Sequence, residues 1–272
     1  MVVLATIPAF APDPGNAKAM RLPALLPGLL ACLIVLAANA AAAEIERGTF
    51  GPFIRSLNDE PHGYAVLADP TGAAPAPLVE CFDVRPGDCG RNRNWDDCAK
   101  DRERSELSEK KKDTAAGEHH WYGWSVYLPA RFADAYPTKV TLGQFHQVGS
   151  HPAWMFEVGP TGYRLDDHVN AGRAAYPLVA ASELKGRWHR IEIEAKWSAG
   201  MDGVLRVWAD GALKVDHKGP TMTAERVYFK YGLYRSFLSR YKKAAGADVV
   251  PGQVVFNANV RRAETRDGLK AP

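Results

Sequence analysis

Three short segments, far apart in the chain, set chemically useful side chains at alternate positions: Arg104-Ser105-Glu106-Leu107, Gln144-Phe145-His146 and Tyr228-Phe229-Lys230-Tyr231-Gly232-Leu233-Tyr234. A β-strand sends successive side chains to opposite faces, so Arg104 shares a face with Glu106, Gln144 with His146, and Tyr228 with Lys230 and Tyr234. Laid side by side on one concave sheet, these faces would form a cationic, tyrosine-rich groove suited to a carboxylated sugar polymer. Arg can engage a carboxylate through two bonds and Gln can donate an amide hydrogen. His titrates near neutrality and Tyr stays protonated until about pH 10, which makes His146 and Tyr234 candidates for acid–base work. Glu106 reads more simply as an ion-pair partner of Arg104, because a bare carboxylate would repel a uronate.

Such a groove needs strands to carry it. Trp121 to Leu128, Arg187 to Trp197, Val204 to Ala209, Val227 to Tyr234 and Val254 to Arg262 are rich in aromatic and branched residues, and several alternate apolar with polar. Asp202-Gly203 and Asp210-Gly211 bracket Val204 to Ala209 as hairpin turns, giving a meander. Phe237 to Ala245 is the best helical stretch. Many short strands and few helices predict an all-β fold, a jelly-roll sandwich of two antiparallel sheets.

Residues 1–43 read as an upstream extension and a secretory signal peptide. Met20-Arg21 starts a basic region, an apolar run follows to Ala38, and Ala38-Asn39-Ala40 or Ala41-Ala42-Ala43 supplies a small-residue cleavage pattern. Pro23 and Pro27 interrupt the run and argue against a stable membrane span. Residues 44–272 are then one domain, exported or periplasmic, and monomeric. A formal charge of +3, with basic residues dispersed, gives no argument for nucleic acid. An oxidising compartment permits disulfides, and the loop between Cys89 and Cys98 could close a small ring before Arg104, leaving Cys81 as a free buried thiol. Three cysteines without a CxxC pair are weak evidence for zinc.

The same three segments resemble the signature strands of jelly-roll polysaccharide lyases of the alginate lyase and heparin lyase I type. Asp88-Cys89-Gly90, Asp97-Cys98, Arg102-Glu103-Arg104-Ser105-Glu106-Leu107 and Trp121-Tyr122-Gly123-Trp124-Ser125-Val126-Tyr127-Leu128-Pro129 bring the heparin-lyase-I-like group closer. The resemblance runs from about Gly48 to Arg262 and implies a concanavalin A-like sandwich. It also implies β-elimination at a uronic acid in an acidic polysaccharide. Arg104 and Gln144 would neutralise the carboxylate beside the C5 proton, His146 would be the base and Tyr234 the acid, with Tyr234 also able to serve as base. Tyr228, Lys230 and Arg235 would hold neighbouring sugars, and Phe145 and Tyr231 would face the core.

No cofactor is required by this chemistry, and no catalytic metal is expected. Asp166-Asp167-His168 offers ligands for a structural calcium, but reads equally as a polar loop. His119-His120 reads as a solvated turn. Trp121, Trp124, Trp154, Trp188, Trp197 and Trp208 read mostly as core. Two rival classes bound the expectation. A glycoside hydrolase would need two acids across the scissile bond, and the Glu-x-Asp-x-x-Glu strand is absent. A non-catalytic, lectin-like carbohydrate-binding module on the same fold would bind polymer without releasing unsaturated product.

Overall fold

The computed structural model describes residues 45–47 and 50–270. The segment read as extension and signal peptide lies outside the described residues. Two large antiparallel sheets dominate. The first runs in the order Ile45–Arg47, Phe50–Arg55, Arg102–Glu109, Arg226–Ser236, Lys139–Gln147, Pro152–Gly159, Gly162–Asp167 and Ala175–Ala180, with Thr114–Ala115 beside Arg226–Ser236. The second runs Ala212–Lys218, Val204–Ala209, Trp188–Lys196, His119–Tyr127, Gln253–Ala263, Leu78–Val84 and Tyr64–Ala68. The fold is the expected jelly-roll sandwich.

The alternation of Val204–Ala209 buries Leu205, Val207 and Ala209 and leaves the intervening residues half-buried. Asp210 (φ 50°) and Gly211 (φ 82°) both take the left-handed conformation that a tight hairpin demands, and Ala212–Lys218 folds back to complete the meander. Between the sheets, Tyr122 and Trp124 meet Phe145, Phe156 and Phe229 at ring separations of 4.9 to 5.1 Å. Phe82 meets Tyr231 at 5.5 Å. Each buried ring contributes roughly 1.5 to 3 kcal/mol by leaving water. These rings occupy the inward face of the same strands whose outward face carries the polar residues, so packing the core fixes which way those residues point.

Helix Leu238–Ala245 follows the central strand Arg226–Ser236 and ends on Gly246 in the left-handed region. Cys89 and Cys98 are disulfide-bonded, and the ring they close contains the two-stranded hairpin Arg91–Asn92 and Trp95–Asp96. Cys81 corrects the expectation of a free thiol: it is fully buried and disulfide-bonded. His119 and His120 open strand His119–Tyr127 rather than a turn, because each finds a carboxylate: Glu194 at 3.1 Å and Glu118 at 2.7 Å. Among the described residues no helix is long and apolar enough to cross a membrane.

Candidate active site

Strand Arg226–Ser236 lies between Arg102–Glu109 and Lys139–Gln147, so the three polar segments sit on adjacent strands of one sheet. Cα pairing sets Tyr234 against Arg104 on one side, and Lys230 against Gln144 and Tyr228 against His146 on the other. Arg104, Glu106, Gln144, His146, Tyr228, Lys230 and Tyr234 thereby share the face turned away from the core.

Glu106 is the organising charge. It is 2 % exposed, pairs with Lys230 and with Arg104 Nη1 (3.1 Å), and accepts a hydrogen bond from Gln144 Nε2. Its Cα partner is Gly232, so no side chain stands between Glu106 and Gln144 on the far side of the central strand. Burial alone would raise the pKa of Glu106, but Lys230 and Arg104 outweigh it and hold the carboxyl below its ordinary value. Burial pushes Lys230 down to about 8 despite the opposing pull of Glu106.

Arg104 is fixed from its other edge by Asp97, with Nε to Oδ2 at 2.6 Å and Nη2 to Oδ1 at 2.7 Å. This is the planar two-bond grip that only a guanidinium makes. The same guanidinium lies 4.4 Å from the centre of the Tyr234 ring. Tyr234 Oη accepts a hydrogen bond from Arg102 Nε at 2.6 Å. Burial raises the Tyr234 pKa above its ordinary value, with Arg104 and Arg102 pulling against that rise.

His146 stands half-buried over Tyr228, with ring centres 5.2 Å apart. Its Nδ1 contacts the Gln147 carbonyl at 2.9 Å. A carbonyl can only accept, so Nδ1 carries the proton and Nε2 keeps a free lone pair. Burial, reinforced by Lys230, lowers the His146 pKa to about 4. The end of this strand is anchored from the opposite face, where Gln147 Oε1 accepts from the backbone of Thr223 (2.6 Å) and Ala224 (2.8 Å).

Two expectations need correction. Arg235 does not line the groove: it follows Tyr234 by one residue, so it points to the core face, where it is fully buried and paired with Glu103. The groove is also less cationic than expected, since Asp97 and Glu106 match Arg104 and Lys230. Among the described residues, the cations of this region that make no ion pair are Arg102 and Lys112, the latter 4.7 Å over the Tyr228 ring. Arg102, Lys112 and Asp97 were not anticipated. Arg102 carried a usable signal, because it alternates with Arg104 and Glu106, whereas Asp97 reaches Arg104 only through the fold of the disulfide loop.

The acidic group on the same sheet face is less suited to a cation than its sequence suggests. Glu157, Asp166 and His168 come together. Lys139 lies 2.9 Å from Glu157, and Arg164 contacts Glu157 at 3.1 Å and Asp166 at 2.7 Å, so the carboxylates already have counter-charges. Asp167 turns away to accept the backbone N–H groups of Val169 and Asn170.

No curated protein sequence matches the chain. Among solved structures, an endo-β-1,4-glucuronan lyase from the fungus Trichoderma reesei shares the fold with a TM-score of 0.53 and 16 % identity, over 74 % of this chain and 87 % of that one. The alginate lyase AlgAT5 of polysaccharide lyase family 7 aligns with a TM-score of 0.50 and 16 % identity, over 70 % and 80 % of the two chains. The family profile described as polysaccharide lyase matches residues 79–256, which contain every residue of the site described above. The chain belongs to the polysaccharide lyase family.

Proposed function

We propose that the protein cleaves an unsulfated, uronate-containing polysaccharide by β-elimination, in the oxidising space outside the cytoplasm. One observation carries the reading: an unprotonated His146 Nε2 and a protonated Tyr234 hydroxyl share one sheet face with a buried Glu106 that orients Arg104, Lys230 and Gln144. His146 Nε2 takes the C5 proton, the electron pair forms the C4–C5 double bond, and the C4–O bond breaks. Tyr234 gives its proton to the departing oxygen; His146 then releases its extra proton to solvent and the Tyr234 phenolate takes one up. The developing enolate needs its carboxylate neutralised, and the second amide hydrogen of Gln144 and the remaining N–H groups of Arg104 serve that purpose.

Glu106 belongs to this chemistry as a positioning residue. Without its matched cations it would repel the substrate. With them, it fixes the direction of the groups that greet the uronate. Lys112, a cation without an ion-pair partner that lies over the Tyr228 ring, suits a polymer with one carboxylate per sugar better than a heavily sulfated one. Glucuronan and alginate, the polymers named for the structurally similar enzymes, are therefore the first substrates to try. The leader-like segment and the Cys89–Cys98 disulfide support export.

The test is a panel of glucuronan, alginate and a heparin-like glycosaminoglycan, followed by the ultraviolet absorbance of unsaturated uronate ends. Product from an unsulfated polymer, abolished in Tyr234→Phe, is the expected result. Polymer retention with no unsaturated ends from any substrate would overturn catalysis in favour of a binding module.

A further inference from the structure

Arg102 has no part in the elimination steps above, yet its Nε donates to the Tyr234 hydroxyl oxygen at 2.6 Å. A phenol oxygen that accepts from a guanidinium must direct its own proton elsewhere, so this bond selects the rotamer of the O–H as well as the place of the ring. The donor is cationic throughout, so the bond is charge-assisted from the start and gains a second charge only when the phenol loses its proton. As Tyr234 releases its proton the oxygen becomes anionic, and the Arg102 contact strengthens as the transition state is approached. Arg102 and Arg104 favour that anion, while burial and Glu106 oppose it.

Arg102 is itself held by the disulfide-closed hairpin. Its guanidinium lies 5.4 Å from the centre of the Trp95 ring and 5.7 Å from that of Phe237, and its Nη1 donates to the Lys100 carbonyl. Trp95 is anchored although 41 % of it is exposed: its Nε1 donates to Asp97 Oδ1 at 2.8 Å, the same oxygen that takes Arg104 Nη2. Phe237 is tied down in turn by its N–H to the Asp101 carbonyl, 3.0 Å away. One ten-residue ring, Cys89 to Cys98, thus supplies Asp97 to Arg104 and Trp95 to Arg102, and both arginines converge on Tyr234.

We propose that Arg102 is a positioning residue for Tyr234, and that the hairpin closed by Cys89–Cys98 holds Arg102 in that role through Trp95. This rests on the reading of Tyr234 as the proton donor, and it adds a control element that touches no substrate atom in the reaction. Arg102 acts on the step in which the tyrosine oxygen becomes negative. Polymer binding is left to other groups.

The experiment compares Arg102→Gln, Arg102→Lys and Trp95→Ala. It measures kcat and KM on the active polymer, and titrates tyrosine by NMR with carbon-13 at Cζ, where Tyr234→Phe identifies the Tyr234 signal. Arg102→Gln should lower kcat on the order of 10- to 100-fold, the scale of a small misplacement of a reacting group, with KM changed less than threefold as a rough bound. Its Tyr234 signal should titrate at higher pH than in the parent. Arg102→Lys should recover part of both effects, and Trp95→Ala should reproduce part of the titration shift. An unmoved Tyr234 titration in Arg102→Gln overturns the proposal, and a loss expressed in KM alone makes Arg102 a substrate contact instead. A Trp95→Ala titration identical to the parent removes the hairpin from it. The NMR arm stands even where no polymer is cleaved, so failure of this inference is separable from failure of the proposed activity.

Discussion

Replacing Glu106 by Gln keeps the shape of the side chain and removes the charge on which three neighbours converge. The neighbours are not equally exposed to the loss. Arg104 keeps both bonds to Asp97, and Gln144 can still find an amide oxygen. Lys230 loses the sole counter-charge it contacts among the described residues, while remaining 5 % exposed. Stranding one member of a buried pair costs ~3 to 5 kcal/mol. Lys230 limits that cost by shedding its proton: its pKa is already down to about 8 with Glu106 present, and each further unit is about 1.4 kcal/mol. The lower end, about 3 kcal/mol, is therefore expected. For a domain of this size that corresponds to a Tm lower by roughly 6 to 12 °C. The assay is urea and thermal unfolding of Glu106→Gln, Lys230→Met and the double variant. Removing both charges should return stability to within about 1 kcal/mol of the parent, because no buried ion is left unmatched. The linkage has a definite sign. The native Lys230 value of about 8 lies below 10.5, its ordinary value, so the unfolded chain binds more protons between the two and stability rises with pH across that window. Loss of Glu106 extends the window downward, so the deficit of Glu106→Gln should shrink as pH is raised from neutrality. A Glu106→Gln protein within about 0.5 kcal/mol of the parent, or a double variant as unstable as the sum of the singles, would refute the reasoning.

Three further outcomes follow from the same geometry. Tyr234→Phe and His146→Ala should each lose ~100- to 10,000-fold in kcat while polymer retention on an affinity gel persists; near-normal unsaturated ends from either variant would remove that residue from the chemistry. The profile of kcat/KM should be bell-shaped, rising through about pH 4 as His146 becomes neutral and falling through about pH 8 as Lys230 loses its charge; an acidic limb at the ordinary histidine value of 6.5 would show that the burial of His146 does not govern its titration. Gly232→Ala should destabilise by at least ~1 to 3 kcal/mol from backbone strain, since φ is 125° and the added Cβ would sit 2.6 Å from the Ser105 carbonyl oxygen and 2.7 Å from Phe82 Cδ1; unfolding within error of the parent would show that the strand relaxes there.

How much of this was legible in the sequence depends on the range over which each contact acts. Val204–Ala209 was readable to the residue because its alternation and the Asp210-Gly211 turn are local, whereas Asp202-Gly203 ends the longer connection from Lys196 and Gly203 does not take the left-handed conformation of a tight hairpin. Side-chain parity placed Arg104, Glu106, Gln144, His146, Tyr228, Lys230 and Tyr234 on one face, because parity survives any choice of register that keeps the core packed. Arg235 shows the same rule neglected: one step past Tyr234, it had to face inward, and Glu103, its directly paired residue, receives it there. The bonds between Arg102 and Tyr234 and between Trp95 and Asp97 were out of reach. The first joins residues 132 apart, and the second depends on the path of a loop. Strands Phe50–Arg55, Tyr64–Ala68 and Leu78–Val84 carried too little alternation to stand out. Tyr64–Ala68 is nowhere buried, and Leu78–Val84 is buried along nearly its whole length, so neither shows a clean polar face.

The pairing of Arg102–Glu109 with Arg226–Ser236 places an ion pair on each side of the same ribbon, Glu103 with Arg235 inward and Glu106 with Lys230 outward. A slip of one residue would bring Glu103 opposite Ser236 and Glu106 opposite Leu233, and would turn charged groups toward hydrocarbon and aromatic rings toward water. Misalignment is penalised on both surfaces at once. The charges that prepare the cleft for a polymer therefore also act as a key during assembly: the nascent ribbon can close in one alignment, and the alignment that satisfies the key is the one that presents His146 and Tyr234 on one face with their arginine and glutamine neighbours.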